Sequence, residues 1–146
     1  MKRFLLGGFA GVALLCGALY WWGWWGGQTE FTAPTRVSIC RESFTLEVAM
    51  SDDARAMGLG ERDSLCQECG MLFVFPRSER YVFWMQGMRF PLDIAWIEDD
   101  VVAHIERGIP SESKERYQPA RPASRVLEVN AGALDGVSVG DSVAFQ

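Results

Sequence analysis

Two carboxylates stand where the surrounding sequence leaves little room for charge: Asp93, in the run PLDIAWIEDD, and Glu128, in LEVNAG. If PLDIAWI is a strand, Leu92, Ile94 and Trp96 point one way while Asp93, Ala95 and Ile97 point the other. Both faces are largely apolar, so Asp93 is expected to be desolvated and to need a partner. Backbone amides of the preceding loop, or an arginine such as Arg62 or Arg80, would give it a purely structural role. The alternative places Asp93 at the rim of a pocket with Trp84, Trp96 and Glu128. Indole platforms beside a carboxylate suit a polar ligand, and two acid/base carboxylates suit glycoside cleavage. The candidate ligand-binding residues are therefore Asp93, Trp84, Met85, Arg62 and Trp96, and the candidate catalytic pair is Asp93 with Glu128. Glu128 also has a plainer reading, because its alternation with Leu127 and Val129 lets it face water or support the turn at 130–132.

The second reactive feature is LCQECG, which spaces Cys66 and Cys69 as C-x-x-C. That spacing suits a redox dithiol, half of a zinc site or a small disulfide loop. Zinc would need Cys40 and His104 as further ligands. The flanks lack the strand-then-helix setting of a thioredoxin motif, and an oxidising compartment would favour a local disulfide that tightens the loop before GMLFVFP. Cys40 is then the odd thiol, expected to be buried in the first strand. No metal or cofactor is expected. His104 is the sole histidine, so a triad or a multi-histidine metal site would have to be built on one ring. The chain contains no G-x-G-x-x-G or P-loop, and its one G-x-S-x-G spelling, GVSVG at Gly136 to Gly140, falls in the alternating run GVSVGDSVAF rather than at a strand-to-helix elbow, which leaves hydrolase, dehydrogenase and NTPase chemistry without their usual sequence support.

The elements that must hold these residues can be read from periodicity. SFTLEVAM alternates Phe44, Leu46, Val48 and Met50 against Thr45, Glu47 and Ala49, as a half-buried strand does. Ser51 is placed to cap a short helix over DDARAM, with Asp52 and Asp53 favoured in its first turn and Gly58 or Gly60 available to end it. GMLFVFP is an apolar strand stopped by Pro76. RYVFWM, PLDIAWIED, VVAHIER and SRVLEVN have strand composition, Asp99 and Asp100 turn a hairpin, and GVSVGDSVAF alternates around Gly140 and Asp141. The three prolines between Gly108 and Pro122 mark a long excursion of the kind that often binds. Many short strands with one helix predict a mostly β, small barrel-like domain.

Ahead of this domain, Lys2 and Arg3 precede an uncharged run from Phe4 to Gly27, about 35 Å if helical and long enough to span a bilayer. Trp21, Trp22, Trp24 and Trp25 suit one headgroup zone, and the basic pair favours a cytoplasmic N-terminus. Residues 1–27 are thus expected to form a signal anchor or transmembrane helix in the inner membrane. Residues 28–42 would be linker and first strand, and 43–146 the β domain, on the periplasmic or extracellular side. Gly7 and Gly11 have the GxxxG spacing of close helix pairs. Beyond Arg3, twelve basic residues against nineteen acidic ones leave a net charge of −7. Such a surface repels phosphates, so nucleic acid is excluded as an expected partner, leaving the membrane and a glycan or envelope protein.

Taken together, MGL with Arg62, Ser64 and Leu65, then GMLFVFP, FWM, PLDIAWI, LEVNAG and GVSVGD, resemble the DUF192 family over roughly Phe44 to Val143. The resemblance implies a compact β-rich fold, often behind a signal or anchor, and implies no reaction. The chain departs from the usual pattern at Gly60 and Glu61, where Met-Phe is typical, and at Gln86 to Met88, where Lys-Asn-Thr is common. Any site those residues form in relatives is expected to be altered here.

Overall fold

The computed structural model describes residues 32–146. The membrane-span expectation for residues 1–27 lies outside them, and no helix of the described residues is long and apolar enough to cross a membrane. The described chain is mostly β, with seven strands and one short helix. These are β1 (Arg36–Ile39), β2 (Glu42–Ala49), α1 (Asp52–Met57), β3 (Cys69–Glu79), β4 (Leu92–Glu98), β5 (Val101–Ile109), β6 (Ala123–Asn130) and β7 (Val143–Phe145).

The strands form one half-barrel sheet in the order β5-β4-β6-β3-β2-β1-β7. β2 and β3 pair in parallel, and every other neighbouring pair is antiparallel. The connection between the parallel strands carries α1 and the Cys66 loop, in keeping with the longer crossover that parallel strands require. At one end the two edges meet. Val101 bridges Ser142, the Val102 amide donates to Asp141 O at 3.0 Å and the Val143 amide to Asp100 O at 2.8 Å, which covers edge groups otherwise open to foreign strands.

Because strand side chains alternate, the sheet makes two cores. The concave face gathers Val37, Ile39, Phe44, Leu72, Ala95, Ile97, Val102, Leu127, Val129 and Val143, closed by Leu134 and Val137 from the last turns. The other face carries Ala49, Met71, Phe73, Leu92, Ile94, Trp96, Ile109 and Val126, and is covered by Leu59 and Met85 from loops. α1 begins as its sequence predicts, with the Ser51 hydroxyl accepting from the Ala54 amide at 3.2 Å. It ends at Gly58, whose φ of +52° suits glycine.

Two expectations about elements are corrected. β3 runs through Pro76 instead of stopping there. Pairing with β2 ends at Phe73 and the β6 register shifts between Val74 and Glu79, so proline's missing N–H removes no ladder bond. RYVFWM is a loop whose one sheet-like contact is the Phe83–Tyr117 bridge. Its apolar side chains pack over the second core as a lid of aromatics, and composition alone does not distinguish that from a strand.

Candidate functional site

Asp93 is fully buried, and both its oxygens are occupied by backbone. Oδ1 accepts from the Gly108 amide at 2.7 Å and Oδ2 from the Leu134 amide at 3.0 Å. These donors come from the end of β5 and the turn after β6, rather than from the preceding loop, Arg62 or Arg80. Arg62 forks onto Glu47 at 2.7 and 2.8 Å, and Arg80 Nε donates to Pro119 O. A carboxylate tying two segments by charge-assisted bonds is a structural clasp. Asp93 shares the concave face with Ala95 and Ile97 and is not at a pocket rim.

Glu128 leaves the sheet by the other face. It pairs across the sheet with Met71 of β3 and Ile94 of β4, both apolar, and is 5% exposed. Neither the facing-water reading nor the turn-supporting reading of this residue holds: it lines a pocket of about 280 Å³ walled by α1 and its following loop (Met57 to Gly60), Phe73, Phe75, the Tyr81 to Trp84 segment, Gln86 and Met88. Among the described residues, none donates a hydrogen bond to its carboxyl, and burial alone pushes its pKa up to about 8. No side-chain oxygen sealed within the described protein lacks a partner, so the Glu128 oxygens open onto the pocket.

The other predicted residues divide. Trp84 is half exposed at the pocket mouth, with Arg116 5.1 Å over its ring. Met85 turns into the second core. Trp96 is fully buried and acts through position: its Nε1 donates to Tyr81 O at 3.1 Å and its ring meets Phe83 edge-on at 5.9 Å, which holds the aromatic wall. Arg62 remains outside in its exposed pair. Sequence reasoning missed Met57 to Gly60, Phe73, Phe75 and Phe83 as walls. The signal was the MGL block itself, and Gly60, Gln86 and Met88, where the chain departs from the usual family pattern, all line this pocket.

The Cys66 and Cys69 sulfurs are bonded, with Cα atoms 5.1 Å apart, and the Asn130 side-chain amide donates to the Leu65 and Cys66 carbonyls. Cys40 is exposed in the β1–β2 turn with φ +55°, correcting the expectation of a buried strand thiol. Its thiol donates to Asp141 at 2.9 Å, and that bond, with the nearby Asp141 and Glu42 charges, raises its pKa and weakens it as a nucleophile. His104 pairs with Glu106 at 3.0 Å. Among the described residues, no three His, Cys, Asp or Glu side chains cluster as a metal site would require.

Fold and site together define a small half-barrel β domain with an aromatic pocket over one unpartnered glutamic acid. The chain belongs to the DUF192 family, whose model, described as "Uncharacterized ACR", matches residues 35–145. Two solved structures are similar. One, from Sinorhizobium meliloti 1021, is described as a "putative transcription regulator" and has 30% identity, a TM-score of 0.73 and coverage of 77% of this chain and 94% of that one. The other, a protein of unknown function from Novosphingobium aromaticivorans DSM 12444, has 29% identity, a TM-score of 0.72 and coverage of 79% and 94%. No curated protein matches.

Proposed function

We propose that this DUF192 domain is a binding module, tethered through residues 1–27 and facing the periplasmic or extracellular side, whose pocket takes a small ligand with an apolar body and one polar handle. The observation that carries this reading is the Glu128 carboxyl, buried without a partner among the described residues and open to an aromatic cavity. A stable fold gains nothing from such a group, since an apolar side chain would avoid the desolvation cost. Pockets lined by aromatics with one or a few placed polar groups are the usual form of small-molecule sites. The volume lies just below the range for such sites, roughly 300–1,000 Å³, which favours a small molecule over an extended glycan or a protein surface. The hydrolase alternative, built on Asp93 with Glu128, would have to run on Glu128 alone, because the two carboxyls leave opposite faces of the sheet. The net charge beyond Arg3 argues against nucleic acid as the ligand.

The test is a fragment screen of the full chain in non-ionic detergent, read by methyl and aromatic NMR shifts. Fragments that move Met57, Met88 and Trp84 together support the reading. A library that leaves all three unmoved counts against it. Orientation is tested with a membrane-impermeant maleimide at the exposed Cys40 in intact and lysed cells, where labelling that occurs only after lysis would overturn the outward-facing placement.

A further inference from the structure

We infer that the pocket is built for an organic ammonium, a protonated amine on an apolar or aromatic body whose N–H groups donate to Glu128 while its alkyl part lies against the Phe73 and Phe83 rings. This rests on the binding reading above and deepens it to a ligand class.

The argument begins with the depth and isolation of the carboxyl. Glu128 projects between Met71 and Ile94 into a space whose remaining walls are mainly aromatic rings and methionine thioethers. Phe73 meets Phe83 edge-on at 5.0 Å, so π faces are held at a fixed angle around it. Such faces attract cations, and aromatic enclosures are a recurrent way of holding ammonium groups.

The protein's own charges near the pocket are already engaged. Arg55 is in the wall, but its guanidinium donates to the Met50 and Val74 carbonyls and to Asp52, and lies over Phe75. The Tyr81 hydroxyl donates to the Arg77 carbonyl. Arg116 covers Trp84 at the mouth. Two strands away on the same face, Glu106 pairs with His104. None of these groups answers Glu128.

A neutral acceptor could take one hydrogen bond from the protonated acid, an ordinary contact. An ammonium converts that contact into a charge-assisted pair and adds the ring interaction. The carboxyl has lost its water on folding, so a cationic ligand does not have to strip it again. Because burial alone holds the empty acid protonated up to about pH 8, ammonium binding below that pH expels a proton to solvent while the carboxylate forms.

The experiment is isothermal titration of the full chain in non-ionic detergent, in buffers of differing ionisation enthalpy. The probes are benzylamine, the amide-blocked lysine Nα-acetyl-lysine N-methylamide, benzyl alcohol and benzoate. The expected result at pH 7 is that one of the two amines binds at least tenfold more tightly than benzyl alcohol and benzoate, with about one proton released. Affinity should rise about tenfold per pH unit from 6 and level near 8. The stronger amine identifies the source, a free amine or a lysine side chain, and either result supports the inference. Glu128→Gln should lower amine affinity to that of benzyl alcohol and abolish proton release, with an unchanged near-UV spectrum showing that the fold is kept. Equal binding of benzyl alcohol and the amines, or amine binding unaffected by Glu128→Gln, would overturn the inference and leave the binding module standing. Failure of all four probes overturns it too, and the fragment screen then decides the broader reading.

Discussion

Asp93 and Glu128 are diagonal neighbours on paired strands, Asp93 opposite Val129 and Glu128 opposite Ile94, yet their carboxyls leave the sheet by opposite faces and meet opposite fates. One is saturated by two amides and closes the concave core. The other meets no donor and opens onto a pocket. A half-step of register separates a clasp from a site.

Asp93→Asn should destabilise the domain. An amide can present only one acceptor oxygen, so its NH₂ would be forced against the Gly108 or the Leu134 amide. A loss of about 2–4 kcal/mol is expected, in line with an unsatisfied, previously charge-assisted bond. Urea denaturation of wild type and variant measures it. A change below about 0.5 kcal/mol would show that the two amides are not held by this carboxylate.

Glu128 makes stability depend on pH in an unusual direction. A carboxyl whose folded pKa is about 8, above its ordinary 4.5, binds its proton more tightly in the folded state. Its contribution is complete below about pH 4.5 and is lost as pH rises through 8. The loss by pH 9 is on the order of 5 kcal/mol if no water enters. Glu128→Gln should therefore match wild type at about pH 4 and exceed it by several kcal/mol at pH 9. Parallel stability curves for the two proteins would exclude a raised pKa.

The Cys66–Cys69 bond closes a very short loop, so reduction should cost about 2 kcal/mol at most on chain-entropy grounds. Chemical denaturation with and without dithiothreitol reads this. A larger loss would mean that the Asn130 contacts to the Leu65 and Cys66 carbonyls collapse with it.

Arg62→Ala should change stability by less than about 1 kcal/mol, because its pair with Glu47 is substantially exposed. Trp96→Phe should cost about 2–3 kcal/mol through the lost bond to Tyr81 O and the space left in the core, and should loosen the Tyr81 to Trp84 wall. Comparative melting of the two variants checks both. Equal effects would contradict the placement of Trp96 as the support of the pocket.

The amino-acid order by itself determined the elements whose signals are local. Alternation in SFTLEVAM, the Ser51 cap, the Asp99–Asp100 turn and the need of Asp93 for a partner all follow from side-chain period, capping chemistry and desolvation. The blocks from MGL to GVSVGD also carried the family. Only the tertiary structure decided which partners Asp93 finds, since the Gly108 amide reaches it where the β4–β5 register shifts, the Leu134 amide comes from the turn after β6, and a backbone amide carries no residue-specific signal. It likewise decided that Glu128, which in sequence looks like any alternating surface acid, faces inward. That depends on α1 and the 81–88 loop folding over this face of β6, and such long-range coverage leaves no mark in the local pattern of polar and apolar residues.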